Sequence, residues 1–243
     1  MSARAKSASL RGGNKYASVV TSLSPRNWLP VRRTKDEPAG TEPPFDPSSW
    51  SGALIVMFGV TAVLWVIQIV NAGNHYSLDR FGLRPRRVDG LWGIVTEPFL
   101  HASYGHLFSN TIPLVMIGWV LLLSGVRAWL TVSALALALG GLATWLVAPA
   151  GVIVGASGLI FGWLGYLIAR AYFSRRLRWI LVAVLVLFFG GTLLTGLLPS
   201  FNSQVSWQAH ACGFGAGILA GAVLHPRRPS TPKPPRGTAS AVS

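Results

Sequence analysis

Between residues 51 and 224 the chain returns repeatedly to long, uncharged apolar runs. Each is close to the ~20 residues that a helix needs to cross the hydrocarbon core of a bilayer. A soluble domain of this size would have to hide several such runs in one small core. A bilayer asks only that each run satisfy its own backbone hydrogen bonds, which an α-helix does. The sequence therefore predicts an all-α, polytopic membrane protein. Its spans fall at about residues 50–70, 105–123, 127–147, 157–172, 179–194 and 205–224.

The polar ends set the domain limits. Residues 1–49 are rich in Ser, Arg, Lys and Pro, a composition that buries too little apolar surface to offset the entropy of ordering. They read as a disordered basic tail, and 225–243 as a disordered Pro/Arg-rich tail. Residues 50–224 form one membrane domain. The first apolar run begins near Ala53, so it reads as the first span rather than as a cleaved leader. The stretch 71–102 mixes Asp79, Arg80, Arg84, Arg86, Arg87, Asp89 and Glu97 with Phe81, Leu91, Trp92, Ile94 and Phe99. That mixture predicts a structured loop in the membrane interface rather than a free tether.

The net charge of +14 invites a nucleic-acid reading. The basic residues lie in the tails and loops without any nucleic-acid motif around them, so that class is set aside. Six spans place both tails and the turns near Arg127 and Arg170–Arg178 on one side, with 17 of the 21 Lys and Arg. The other side carries four, all in the first loop. The positive-inside rule then puts both termini in the cytoplasm of a multi-pass cell-membrane protein. Cys212 is the single cysteine, which excludes an internal disulfide and argues against a thiolate-held metal.

Within this frame one stretch carries chemistry. Gly155-Ala-Ser157-Gly158 sets a serine at the start of the fourth span, flanked by glycines that allow close approach of backbone and substrate. A serine hydroxyl needs a base. His210, about five residues into the last span, sits at a depth comparable to Ser157. Phe161, four residues after Ser157 on the same helix face, is placed to stack on the His210 ring. His106 and Asn110 are at i and i+4 on the second span, where they offer N–H donors to an oxyanion beside the backbone N–H of Ser157. His101, at the loop–span junction, reads as a structural hydrogen-bonder. His75 and His225 read as solvated. Gly213 and Gly217 make a G-x-x-x-G step that lets the last span approach Gly158, Gly162 and Gly165 of the fourth.

The missing carboxylates decide between mechanisms. After Glu97 there is no Asp or Glu to the end of the chain. An intramembrane aspartyl protease, which needs two acids in its spans, is excluded. So is a zinc protease of the H-E-x-x-H kind. A His101/His106/His210 metal site has no acid beside it in sequence, and no metal or cofactor is assigned. A Ser-His-Asp triad would draw its acid from the first loop. The simpler reading is a Ser157–His210 dyad.

His106-x-x-x-Asn110, Gly155-x-Ser157-Gly158 and Ala209-His210 followed by Gly213 and Gly217, in that order on those spans, resemble the rhomboid family of intramembrane serine proteases. The resemblance covers about residues 51–224. It implies a six-transmembrane-helix bundle with a wet cavity opening to the outer face, a Ser157 nucleophile and a His210 base. It also implies cleavage of the transmembrane segments of single-span or multi-span membrane proteins, whose helices enter laterally and unwind. Relatives often carry Trp-Arg in the first loop; here the nearest match is Trp92-Gly93. Two rivals stand beside this reading, a catalytically silent rhomboid-like protein that binds membrane clients and a small-solute channel or transporter.

Overall fold

The computed structural model describes residues 45–199 and 206–225. The tails at 1–44 and 226–243, and the segment 200–205, lie outside the described residues. Six long helices are found among those described. They are α1 Trp50–Gly73, α2 Tyr104–Leu122, α3 Val126–Val147, α4 Ser157–Ser174, α5 Leu177–Leu194 and α6 Trp207–Leu224. Their ends differ from the sequence-derived spans by up to three residues. At the N-terminal side, residues 46–49, read with the tail, instead form a turn that caps α1. Ser49 accepts from the Gly52 N–H through its side chain, satisfying an otherwise orphan donor of the first turn.

Three helices, α1, α2 and α3, are long and apolar enough to cross a membrane, judged by length and composition. On α1 the residues Ile55, Phe58, Val63, Val66 and Ile69 point away from the protein, while Met57 and Leu64 point into it. Exposing such a stripe to water would be costly over this length, whereas acyl chains cover it at no loss.

α4 is the central helix. From Ile160 to Leu167 every residue is buried, and the core cluster gathers around Ile160, Phe161, Trp163, Leu164, Tyr166 and Leu167. Glycine and small residues, not aliphatics, set the geometry of its most extensive contact, with α6. A Cβ on Gly213 would collide with the Gly158 carbonyl oxygen, and one on Gly217 with that of Gly162. The two helices therefore touch backbone to backbone, as the G-x-x-x-G step predicts. α3 meets the same place: its residues Ala136–Gly140 form a π-helical segment, with Gly140 against the backbone of Gly213. Such segments accommodate a helix that must widen locally to meet a neighbour.

The tight α4–α6 seam extends to its far end and corrects the reading of His225. That residue is half-buried, not solvated, with Nε2 3.0 Å from the Tyr166 hydroxyl of α4. Burial, with Arg170 and Arg176 nearby, pushes its imidazole down to about 4, so it stays neutral at physiological pH. His75 is exposed, as read.

The first loop is a docked structure. Leu83 and Ile153 pair as an antiparallel bridge through two backbone bonds of 2.9 Å. The Arg86 guanidinium donates to the Ala148 carbonyl at 2.5 Å, and the Trp145 indole donates to the Arg87 carbonyl at 2.9 Å. These contacts fasten the loop onto the segment that leads into Ser157. Gly93 lies against the backbone of Gly82 and Leu83, so a side chain there would collide with the loop itself. Trp92 is 79% exposed, a suitable anchor at a headgroup interface.

Candidate active site

Ser157 is the first residue of α4 and His210 lies in the first turn of α6. The glycine seam brings these two helix starts together. The Ser157 Oγ and His210 Nε2 are 2.8 Å apart, and His210 Nδ1 lies 2.9 Å from the Gly196 carbonyl oxygen. The second contact decides the first. A carbonyl oxygen can only accept, so Nδ1 carries the hydrogen and Nε2 is left with a free lone pair. The Ser157 hydroxyl therefore donates to the imidazole. The Phe161 ring stacks on the imidazole with centroids 4.3 Å apart and planes 18° from parallel. Packing on one face and a fixed carbonyl at one edge leave the ring a single orientation.

Gly155 sits two residues before the serine with φ +124°, a conformation that L side chains rarely adopt. Its N–H donates to the Glu97 carbonyl at 2.8 Å. A Cβ at this position would fall 2.7 Å from His106 Cε1 and 3.7 Å from Asn110 Nδ2. Both polar side chains of α2 thus flank the backbone just ahead of Ser157. Asn110 Nδ2 is buried with no hydrogen-bond partner among the described residues, a donor held ready. The backbone N–H of Ser157, on the first residue of α4, belongs to the helix-end donors that lack an intrahelical partner.

His101 is fully buried, and the Ala156 N–H points at its Nε2 from 3.4 Å. Burial, with His106 next to it, lowers its imidazole to about 3, the neutral state that an accepting Nε2 requires. Its ring meets that of His106 edge to face, centroids 5.2 Å apart. Cys212 is half-buried and belongs to the same helix as His210.

Ser157, Gly158, His106, Gly155, Ser206 and Ala209 line a cavity of about 90 Å³. That is room for several waters beside the serine. Two participants escaped the reading of the sequence. One is the Gly196 carbonyl, a backbone group with no signature in sequence. The other is Glu97, which lines the cavity and is 6% exposed. Its only sequence signal is that it is the last acid in the chain.

Burial alone pushes the Glu97 carboxyl from its ordinary 4.5 up to about 8. The unfolded chain then releases this proton first, so stability falls as pH rises from about 4.5 to about 8. The slope is about 1.4 kcal/mol per pH unit, roughly 3 kcal/mol by pH 7. Glu97→Gln removes the slope. Its thermal midpoint is expected to exceed that of the parent at pH 7.5 and nearly to converge with it at pH 5. Parallel midpoint-versus-pH curves would refute the buried, unpaired carboxyl.

The model of the rhomboid domain matches residues 88–227. An uncharacterized protein of Mycobacterium tuberculosis is 38% identical over 181 residues, covering 71% of this chain and 75% of that protein. One of Mycobacterium leprae is 37% identical over 183 residues, 72% of each chain. Rhomboid-related protein 1 of Caenorhabditis elegans is 30% identical over 161 residues, 62% of this chain and 45% of that one. The matched region holds Ser157, His210, His106 and Asn110 together, and the chain belongs to the rhomboid family of membrane proteins.

Proposed function

We propose that this protein is an intramembrane serine endopeptidase that cleaves transmembrane segments of other membrane proteins. The observation that carries the proposal is the Ser157–His210 pair with the imidazole tautomer held by the Gly196 carbonyl. A free Nε2 lone pair on a hydroxyl proton is the arrangement from which a serine attacks. In a triad of the usual kind a carboxylate orients the histidine. Here a backbone carbonyl does so, which fits a stretch of chain without acids.

In this reading all six long helices cross the bilayer, both termini are cytoplasmic, and the cavity opens to the outer face. A substrate helix unwinds locally, because a helical carbonyl is already hydrogen-bonded and shielded. Ser157 Oγ attacks the freed carbonyl carbon while His210 Nε2 takes the hydroxyl proton. The developing oxyanion is met by the Ser157 N–H, His106 and the unpartnered Asn110 Nδ2. As the tetrahedral species collapses, His210 returns the proton to the leaving amine. A water from the cavity then repeats the sequence on the acyl-enzyme. The residues use no metal or cofactor for these steps. The partners are the lipid bilayer and single-span or multi-span membrane substrates.

The test is incubation of the purified full-length protein, in proteoliposomes, with a panel of single-span substrates. Cleavage of at least one member, absent with Ser157→Ala, is the expected result. Clients retained on the protein with no serine-dependent cleavage would move the assignment to the silent, client-binding reading.

A further inference from the structure

The carboxyl of Glu97 is in the wrong place for a structural acid. It is carried by the short turn Glu97–Phe99 of the first loop, and Glu97 lines the same cavity as Ser157. Its Oε2 is buried with no hydrogen-bond partner among the described residues, and Oε1 lies 3.8 Å from where a Cβ on Gly158 would stand. No Lys or Arg pairs with it among the described residues; the ion pairs of this loop join Arg84 and Arg87 to Asp89. Leaving a buried polar oxygen unpaired is unfavourable, because it gives up its water without gaining a protein partner. Its backbone carbonyl already serves the Gly155 N–H, so the loop's docking does not need the side chain.

We propose that Glu97 is a specificity-determining residue, pairing with the hydroxyl of a serine or threonine that flanks the scissile bond of the substrate. This rests on the reading of Ser157 as the nucleophile. The cavity admits a short side chain and offers one unsatisfied polar group, so a short side chain with one polar group fills both needs. A carboxyl that keeps its proton to about pH 8 can donate to a hydroxyl or accept from it, whereas an ammonium group would require the ionised form. A site with an unpaired buried partner discriminates strongly against an analogue that lacks the matching group.

Quenched-fluorescent peptides with a central Xaa-Ala or Ala-Xaa pair test this, with Xaa as Ala, Ser, Val, Thr or Lys. They are read as kcat/KM ratios on the full-length protein in lipid. At one of the two positions Thr is expected to exceed its isostere Val, and Ser to exceed Ala, by about tenfold or more. In Glu97→Leu both ratios are expected to fall to near one, and in Glu97→Gln to be kept in part by the amide. A ratio within one preparation does not depend on the fraction of active protein, so a poorly folding variant does not blur it. Equal rates for Thr and Val in the parent, unchanged ratios in Glu97→Leu, or a preference for Lys would each overturn the assignment. Absence of cleavage of every peptide and every panel substrate would instead remove the protease reading beneath it.

Discussion

Ser157→Ala, His210→Ala and the double variant are expected to fall to one common floor, about 10⁴-fold or more below the parent in kcat. The hydroxyl and the imidazole share one proton across 2.8 Å, so removing either member removes the function of both. Two losses that were independent would multiply; losses of a unit do not. Under the proposed mechanism the floor is set by what remains, the oxyanion donors and the cavity beside Ser157. Two measurements read the same unit. Cleavage of the fastest panel substrate gives kcat, and a fluorophosphonate probe gives the reactivity of the hydroxyl alone. Labelling should vanish in Ser157→Ala and slow sharply in His210→Ala, while Cys212→Ala labels normally. A His210→Ala protein that retains most of its rate, or a double variant far below both singles, would show that the imidazole does not act as the base.

Much of this arrangement was legible in the sequence because it depends on residue types with few alternative uses in a membrane. A histidine inside an apolar span, a serine between glycines and a G-x-x-x-G step each narrow the geometry. The helix seam follows from them, since Gly213 and Gly217 leave room only for backbone on the facing helix. What stayed hidden is of another kind. The Gly196 carbonyl that holds the imidazole belongs to the backbone and has no residue preference to betray it. Glu97 looks like any interfacial acid until the loop folds under, and that fold depends on the Leu83–Ile153 bridge, a contact across seventy residues. His225 looks like the first residue of a polar tail, and only the full length of the α4–α6 contact brings it to Tyr166. α4 and α6, read as spans from their apolar runs, are not among the three helices long and apolar enough to cross a membrane by length and composition alone. Their glycines serve helix packing instead of lipid contact, and α4 is enclosed by its neighbours on nearly every side.

Gly155→Ala should separate oxyanion geometry from fold. The position has φ +124°, so any side chain there strains the backbone by about 1–2 kcal/mol. Gly125 has φ +108° with open space around it and supplies the control for that strain. The two differ in what the new methyl meets. At Gly125 it meets nothing within 4 Å, while at Gly155 it lies 2.7 Å and 2.8 Å from Cε1 and Nε2 of His106. The imidazole, at the end of a side chain, moves before the backbone does. Gly155→Ala and Gly125→Ala are therefore expected to lower the thermal midpoint by similar amounts, but only Gly155→Ala should lose kcat, by about 10²–10³. If the loss runs through His106, the Gly155→Ala, His106→Ala double variant will be little worse than His106→Ala alone, because the ring that the methyl displaces is already gone. Multiplicative losses in the double variant would place the damage in the Ser157 backbone instead. Equal kcat in the two glycine variants would deny His106 any part in the transition state.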